Sequence, residues 1–377
     1  MVRENRVEKL REYMEKQNID VSVVIDPLNQ CYLTGFHTVI YSRPIITLVF
    51  HDSIEMIVPA LEELHAKEEA EVDSIHIYYE HPEKAHLGTD PYKTLLSILK
   101  QKRVGRIAVE KAIISQALFE ILAQVSREKP TDIGEFVQEM RMIKDKDEIE
   151  LIKKAAQLAD IGVMKSIESA RPGMTELEID GIGSAEILRV AAEKYPGSRV
   201  EMFVMSPSGP ERTTLPHVFS IARRLQPGDV VIHSRQVGLN GYRAESERTF
   251  FISRPKKEYR DPFEIMLAAQ EAAIKAIRPG VKCKEVDEAA RSIIREAGYA
   301  DYFIHRTGHG LGLSAHEPPY LRFDSDVVLK EGMVISVEPA FFIPKVGGFR
   351  HSDTVVVTKK GAEVITKAPR DFESLVV

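Results

Sequence analysis

Three histidines, His305, His309 and His316, stand among Gly308, Gly310 and Gly312. Imidazoles this close could ligate a metal, but the glycines break any helix that would set two of them on one face. Hydrogen bonding around a substrate is the alternative use of the three. Glu338 follows the apolar run Met333 to Val337, which reads as a buried strand. A carboxylate there requires a partner, because an unpaired buried charge is costly. His217 follows Pro216 at a loop or strand end, and an unperturbed imidazole titrates near pH ~6.5, suited to moving a proton. Glu247 lies in a charged strand beside Arg248 and Arg243. It can pair with them or, without a metal, hold a substrate N–H group or orient water. Arg43 and Arg322 are surface residues by default. If they reach a site they imply an anionic, carboxylate-bearing ligand, which guanidinium grips bidentately.

Taken in order, the segments from Gly228 to Ser234, Asn240 to Phe250, His305 to Gly312, Glu331 to Pro339 and Gly348 to Thr354 resemble the prolidase, aminopeptidase P and creatinase superfamily. That resemblance covers nearly the whole chain and implies a pita-bread fold. Metallopeptidases of the group use two Asp, one His and two Glu to hold two ions, and the matching positions here are Ser234, Glu245, His309, Glu338 and Ser352. Two neutral hydroxyls replace carboxylates, too little negative charge for two divalent cations. The metal-free creatinase branch shares other features. Glu247 stands where metallopeptidases carry Thr, and His217, twelve residues before Asp229, has the spacing of the creatinase catalytic histidine. Tyr41 and Arg43 match an aromatic residue and an arginine that creatinase lends to a neighbouring subunit, and Arg322 a second carboxylate-binding arginine. Arg243 departs from the pattern, because creatinase has Tyr there.

The resemblance therefore implies a metal-independent hydrolase of a C–N bond (amide, amidine or guanidine) in a small carboxylate-bearing substrate, with no cofactor. His217, Glu247 and Glu338 are its expected catalytic groups. Tyr41, Arg43, His305, His309, His316 and Arg322 are its expected substrate contacts, in a homodimer. The alternative is an Xaa-Pro dipeptidase or aminopeptidase with Mn, Co or Zn on Glu245, His309 and Glu338. A second alternative is a non-catalytic scaffold that binds a peptide or partner protein.

The elements that must position these residues follow from periodicity. Val7, Leu10, Tyr13 and Met14 mark an amphipathic first helix. Strands are expected at Val21 to Ile25, Ile45 to Phe50 and Met56 to Val58, with helices at Leu95 to Leu99 and Ala117 to Val125. A charged run from Lys144 to Glu150 opens a long helix, roughly Asp147 to Ala170, and marks a domain boundary. Arg171-Pro172-Gly173 and Arg278-Pro279-Gly280 each precede a Glu-Ile/Val-Asp at equal spacing. Two α/β halves related by a pseudo-twofold would leave such a repeat. The expected fold is α/β (α+β), with a creatinase-type N-terminal domain over residues 1–143 and a pita-bread domain over 144–377.

A chain of 377 residues has the length for two domains. A net charge of −6 argues against a nucleic-acid surface. The two cysteines, Cys31 and Cys283, form no disulfide framework. No apolar run approaches the ~18 residues of a membrane span, and a cytoplasmic location is expected.

Overall fold

The computed structural model describes residues 2–39 and 42–377. The chain forms two compact units, Met1–Arg141 and Met142–Val377. In the first, helices α1 (Val2–Gln17), α2 (Pro27–Thr34), α3 (Glu63–Glu69), α4 (Pro91–Gln101), α5 (Gln116–Val125) and α6 (Gly134–Met142) accompany six strands. These are β1 (Val21–Val24), β2 (Ile46–Phe50), β3 (Ile54–Pro59), β4 (Ser74–Tyr78), β5 (Ile107–Val109) and β6 (Thr131–Asp132). They form one sheet in the order β4-β3-β2-β1-β5-β6. It is mixed, because β1 pairs antiparallel with β2 and parallel with β5. Every residue of β1, β2 and β3 is buried, as the continuous apolar runs require.

The second unit opens with α7 (Lys146–Ser169). Its start is set by a capping box, in which Asp145 Oδ1 accepts from Glu148 N and Glu148 Oε2 accepts from Asp145 N. There follow α8 (Glu176–Lys194), β7 (Val200–Met205), α9 (Gly209–Arg212), β8 (Val230–Leu239), β9 (Tyr242–Phe251), α10 (Arg260–Ala276) and α11 (Cys283–Glu296). The last strands are β10 (Gly308–Gly310), β11 (Glu317–Leu321), β12 (Val334–Val337), β13 (Ala340–Ile343), β14 (Gly347–Arg350), β15 (Ser352–Thr358) and β16 (Gly361–Val364). The main sheet runs β11-β10-β12-β15-β9-β8-β7, with β16 on β15.

The Arg-Pro-Gly repeat has a matching geometry in its two copies. Gly173 N donates to Leu225 O and Leu225 N to Met174 O; Gly280 N donates to Leu329 O and Leu329 N to Val281 O. Gly173 and Gly280 have φ of 90° and 91°, the left-handed region that glycine enters without strain. Each turn joins one helix pair, α7 to α8 and α10 to α11. Val163, Ile167, Phe263, Met266 and Ala269 from these pairs are buried in one core with Val231, Phe250, Ile335, Val337 and Val355 of the sheet. A buried aliphatic or aromatic side chain contributes roughly 1.5–3 kcal/mol. That core fixes the strands whose other face carries polar residues.

Candidate metal centre and substrate cavity

The β8–β9 hairpin is set by its turn. Asn240 and Gly241 both have positive φ, 51° and 88°, as a two-residue hairpin turn demands. The resulting register puts Ser234 opposite Glu247 and Gln236 opposite Glu245. Because strand side chains alternate, Glu245 and Glu247 share a face. β15 continues the sheet with Ser352 opposite Glu247. β10 carries His309, and β12 runs into Glu338.

At the centre, His309 Nε2 lies 3.0 Å from Glu338 Oε1, with both side chains buried. The contact is not aligned as a hydrogen bond, which leaves His309 Nε2 and Ser352 Oγ as buried polar atoms without one. Ligand atoms of Glu245, His309 and His316 lie within 4.8 Å of one another. Gln236 Nε2 donates to Glu245 Oε2 at 2.5 Å. Beside them Arg350 is clamped bidentately by Glu247, with Nη2 donating to Oε2 at 2.7 Å and Nε to Oε1.

The charges in this cluster act on one another. Burial would raise Glu338, yet His309, His305 and Arg350 hold it well below the usual carboxylate range. Burial and the nearby Glu338 push Glu245 up. Burial pushes Glu247 up to about 7 against the pull of Arg350. Burial lowers His305 to about 4, and burial with the neighbouring His309 lowers His316 to about 4. His217 is lowered by burial and by Arg350. The three histidines are therefore neutral at pH 7.

A cavity of about 490 Å³ opens next to this cluster, lined by His217, His305, His316, Arg291, Arg306 and Arg322 with Phe303, Ile304 and Phe323. That volume lies within the ~300–1,000 Å³ of small-ligand sites. The structure thus brings His217, His305 and His316 to one cavity and Glu247, His309 and Glu338 to the adjoining cluster. It does not leave Arg322 free as an anchor. Arg43 lies in the first unit, exposed and tied to Glu80. Arg322 reaches the cavity rim, but its fork is spent on Asp324, at 2.5 and 2.7 Å. Tyr41 lies outside the described residues. Of the uses open to Glu247, pairing with Arg248 or Arg243 is not the one made. Arg248 pairs with the buried Asp353, and Arg243 with Glu201.

Residues 150–359 match the Metallopeptidase family M24, and residues 6–143 the Creatinase/Prolidase N-terminal domain. The chain belongs to metallopeptidase family M24. An Xaa-Pro dipeptidase of Pyrococcus furiosus is 34% identical over 371 residues, covering 97% of this chain and 99% of that protein. The prolidase structure from Pyrococcus horikoshii OT3 superposes with a TM-score of 0.86 at 31% identity, over 98% and 99% of the two chains. An Xaa-Pro dipeptidase structure from Bacillus anthracis gives 0.86 at 27% identity over the full length of both.

These findings correct two expectations. A metal-independent, creatinase-like hydrolase with no cofactor is overturned by M24 membership and by the whole-length similarity to Xaa-Pro dipeptidases. The alternative, an Xaa-Pro peptidase with a metal on Glu245, His309 and Glu338, fits the findings better. Three buried carboxylates, Glu245, Glu247 and Glu338, outnumber the one guanidinium of Arg350, an acidic excess that suits a single divalent cation. Glu245, His309 and His316 are the donors gathered within 4.8 Å of one another, and Glu338 Oε1 lies 3.0 Å from His309 Nε2, a set that fits a single ion and, with Ser234 and Ser352 neutral, does not fit a pair. Sequence reasoning missed Gln236, Arg306 and Arg350. Of these only Arg350 left a signal, a cation two residues before the ligand position Ser352.

No helix among the described residues is long and apolar enough to cross a membrane.

Proposed function

We propose that this chain is an M24 dipeptidase that hydrolyses the peptide bond of Xaa-Pro dipeptides with one divalent ion of the Mn, Co or Zn class. The observation that carries the reading is the buried His309–Glu338 contact, with Glu245 beside it and an imidazole nitrogen that no hydrogen bond satisfies. Glu245, His309 and Glu338 would hold the ion, with imidazole and carboxylate the donors such ions accept. Bound there, the ion supplies Lewis-acid polarisation of the scissile carbonyl. Glu247 keeps Arg350 fixed, so a permanent positive charge stays beside the carboxylates. His217 lines the cavity and is neutral at pH 7, so it can take a proton and deliver it to the leaving proline nitrogen. The homodimer is part of this proposal and is checked by sedimentation.

The test combines stoichiometry with turnover. Purified protein should bind one Mn ion per chain in a calorimetric titration and hydrolyse Xaa-Pro dipeptides. Chelator should abolish that activity and added Mn restore it. Metal binding without hydrolysis of any Xaa-Pro dipeptide would sink the dipeptidase reading.

A further inference from the structure

The loop that carries His217 runs from Ser206 to Asp229, between β7 and β8, and apart from the short α9 it contains no helix or strand. From Thr214 to Arg224 none of its residues is buried, and Leu215, Phe219 and Ile221 are exposed. Apolar packing gives such a segment little stability of its own, so polar contacts must fix it.

Those contacts converge on one carboxylate. Glu176, in the first turn of α8, is completely buried. Its Oε1 accepts from Ser208 N at 2.9 Å, Ser208 Oγ at 2.6 Å and Arg212 Nε at 3.0 Å. Its Oε2 accepts from Arg212 Nη2 at 3.0 Å and from Ile221 N at 2.9 Å. Arg212 Nη2 also donates to Phe219 O at 2.8 Å. Ser208 and Arg212 precede His217, and Phe219 and Ile221 follow it. Both arms of the loop are therefore tied to one buried side chain.

The internal repeat shows what is particular to this half. With Arg171 set on Arg278, Asp180 corresponds to Asp287 and Glu176 to Cys283. The aspartates play one part in both copies. Asp180 Oδ1 accepts from Ser206 Oγ at 2.5 Å where the chain leaves β7, and Asp287 Oδ1 from Thr307 N at 3.1 Å where it enters β10. At the other position the copies part. Cys283 lies in the apolar core, whereas Glu176 presents a carboxylate that gathers the loop.

We propose that Glu176 is the positioning residue of the His217 loop. It latches the loop so that the imidazole stands at the cavity wall, and it does not itself line that cavity. The inference rests on the reading of His217 as the proton carrier and deepens it.

The experiment is a double-mutant cycle. Glu176→Gln keeps the shape of the side chain but puts an amide NH₂ where donors point. On glycylproline its kcat should fall about 10- to 100-fold, the scale of a reacting group displaced by about 1 Å, with KM within about twofold of wild type. Mn stoichiometry should stay at one ion per chain. In a His217→Ala background the same substitution should cost nothing further, because no imidazole remains to be misplaced. Arg212→Met, which cuts the tie to Phe219, should show the same split and carries the cycle if Glu176→Gln does not fold. Independently of turnover, the Ile221 amide should exchange about 10- to 100-fold faster in Glu176→Gln and at least measurably faster in Arg212→Met, the scale of a lost hydrogen bond to a charged group. Wild-type kcat in both variants, losses that multiply in the double mutant, or unchanged Ile221 exchange would each overturn the latch. A His217→Ala protein with wild-type kcat overturns the proton-carrier reading instead, and a wild type that cleaves no Xaa-Pro dipeptide overturns the dipeptidase reading. In either case Ile221 exchange decides the latch by itself.

Discussion

Arg350 and Glu247 are each almost completely buried, 3% and 0% exposed, so the energetics of this pair are those of an interior ion pair. Removing one partner leaves an uncompensated charge and typically costs about 3–5 kcal/mol. Arg350→Met should therefore lower stability by that order in urea denaturation. Arg350→Met combined with Glu247→Met should recover most of the loss, because no charge is then stranded. Independent losses that simply add would show that the two side chains do not act as a unit. A substitution of Arg350 alone also removes the cation that balances Glu245 and Glu338, so its effect on Mn affinity should run toward tighter binding.

His309 sits on a three-residue strand, β10, between β11 and β12, and glycine flanks it on both sides. The reason is steric. A Cβ at Gly308 would meet the carbonyl oxygen of Ser336 on β12, and one at Gly310 would meet the carbonyl oxygens of Pro318 and Glu317 on β11. Neither obstacle is a flexible side chain, so the backbone of β10 must move. Gly308→Ala should displace His309 and weaken Mn binding by about 10- to 100-fold, the range for changes that disturb ligand orientation. Calorimetric titration measures this, and unchanged affinity would show that β10 has room to shift. The element-scale content of the sequence was high where the pattern was periodic or capped. The charged run at Lys144 to Glu150 became a capping box, and the apolar run before Glu338 became β12. The Gly-rich histidine segment showed only that it was not a helix, since glycine permits many conformations and names none.

Several buried titratable groups link the stability of the molecule to pH, with opposing signs. Glu247, raised to about 7 by burial, is favoured by protonation as pH falls through the range below 7. His351 acts the other way. It is fully buried, with Nδ1 accepting from Thr249 N and Nε2 donating to Arg370 O, and burial together with Arg248 lowers it to about 3. Above about pH 6.5 the imidazole is neutral in both folded and unfolded chains. Below that only the unfolded chain takes the proton, so stability drains away as pH falls from about 6.5 toward 3. Because other groups titrate in the same window, the effect is isolated by difference. The stability advantage of wild type over His351→Gln should shrink by about 2 kcal/mol between pH 7 and pH 5, at ~1.4 kcal/mol per pH unit for one group. A constant difference across that range would mean that His351 is protonated in the folded state.

The sequence by itself determined the superfamily, the α/β plan and the positions facing the centre, because those depend on local pattern and on motif order along the chain. It also showed that Ser234 and Ser352 cannot ligate as carboxylates do. Which charges meet was decided only by the tertiary structure. Glu247 lies 103 positions from Arg350 in the chain, and strand register, not sequence proximity, turns that pair into one ionic unit. The fold likewise gives Arg291 to Asp287 and Arg322 to Asp324, while Arg306 meets no carboxylate among the described residues.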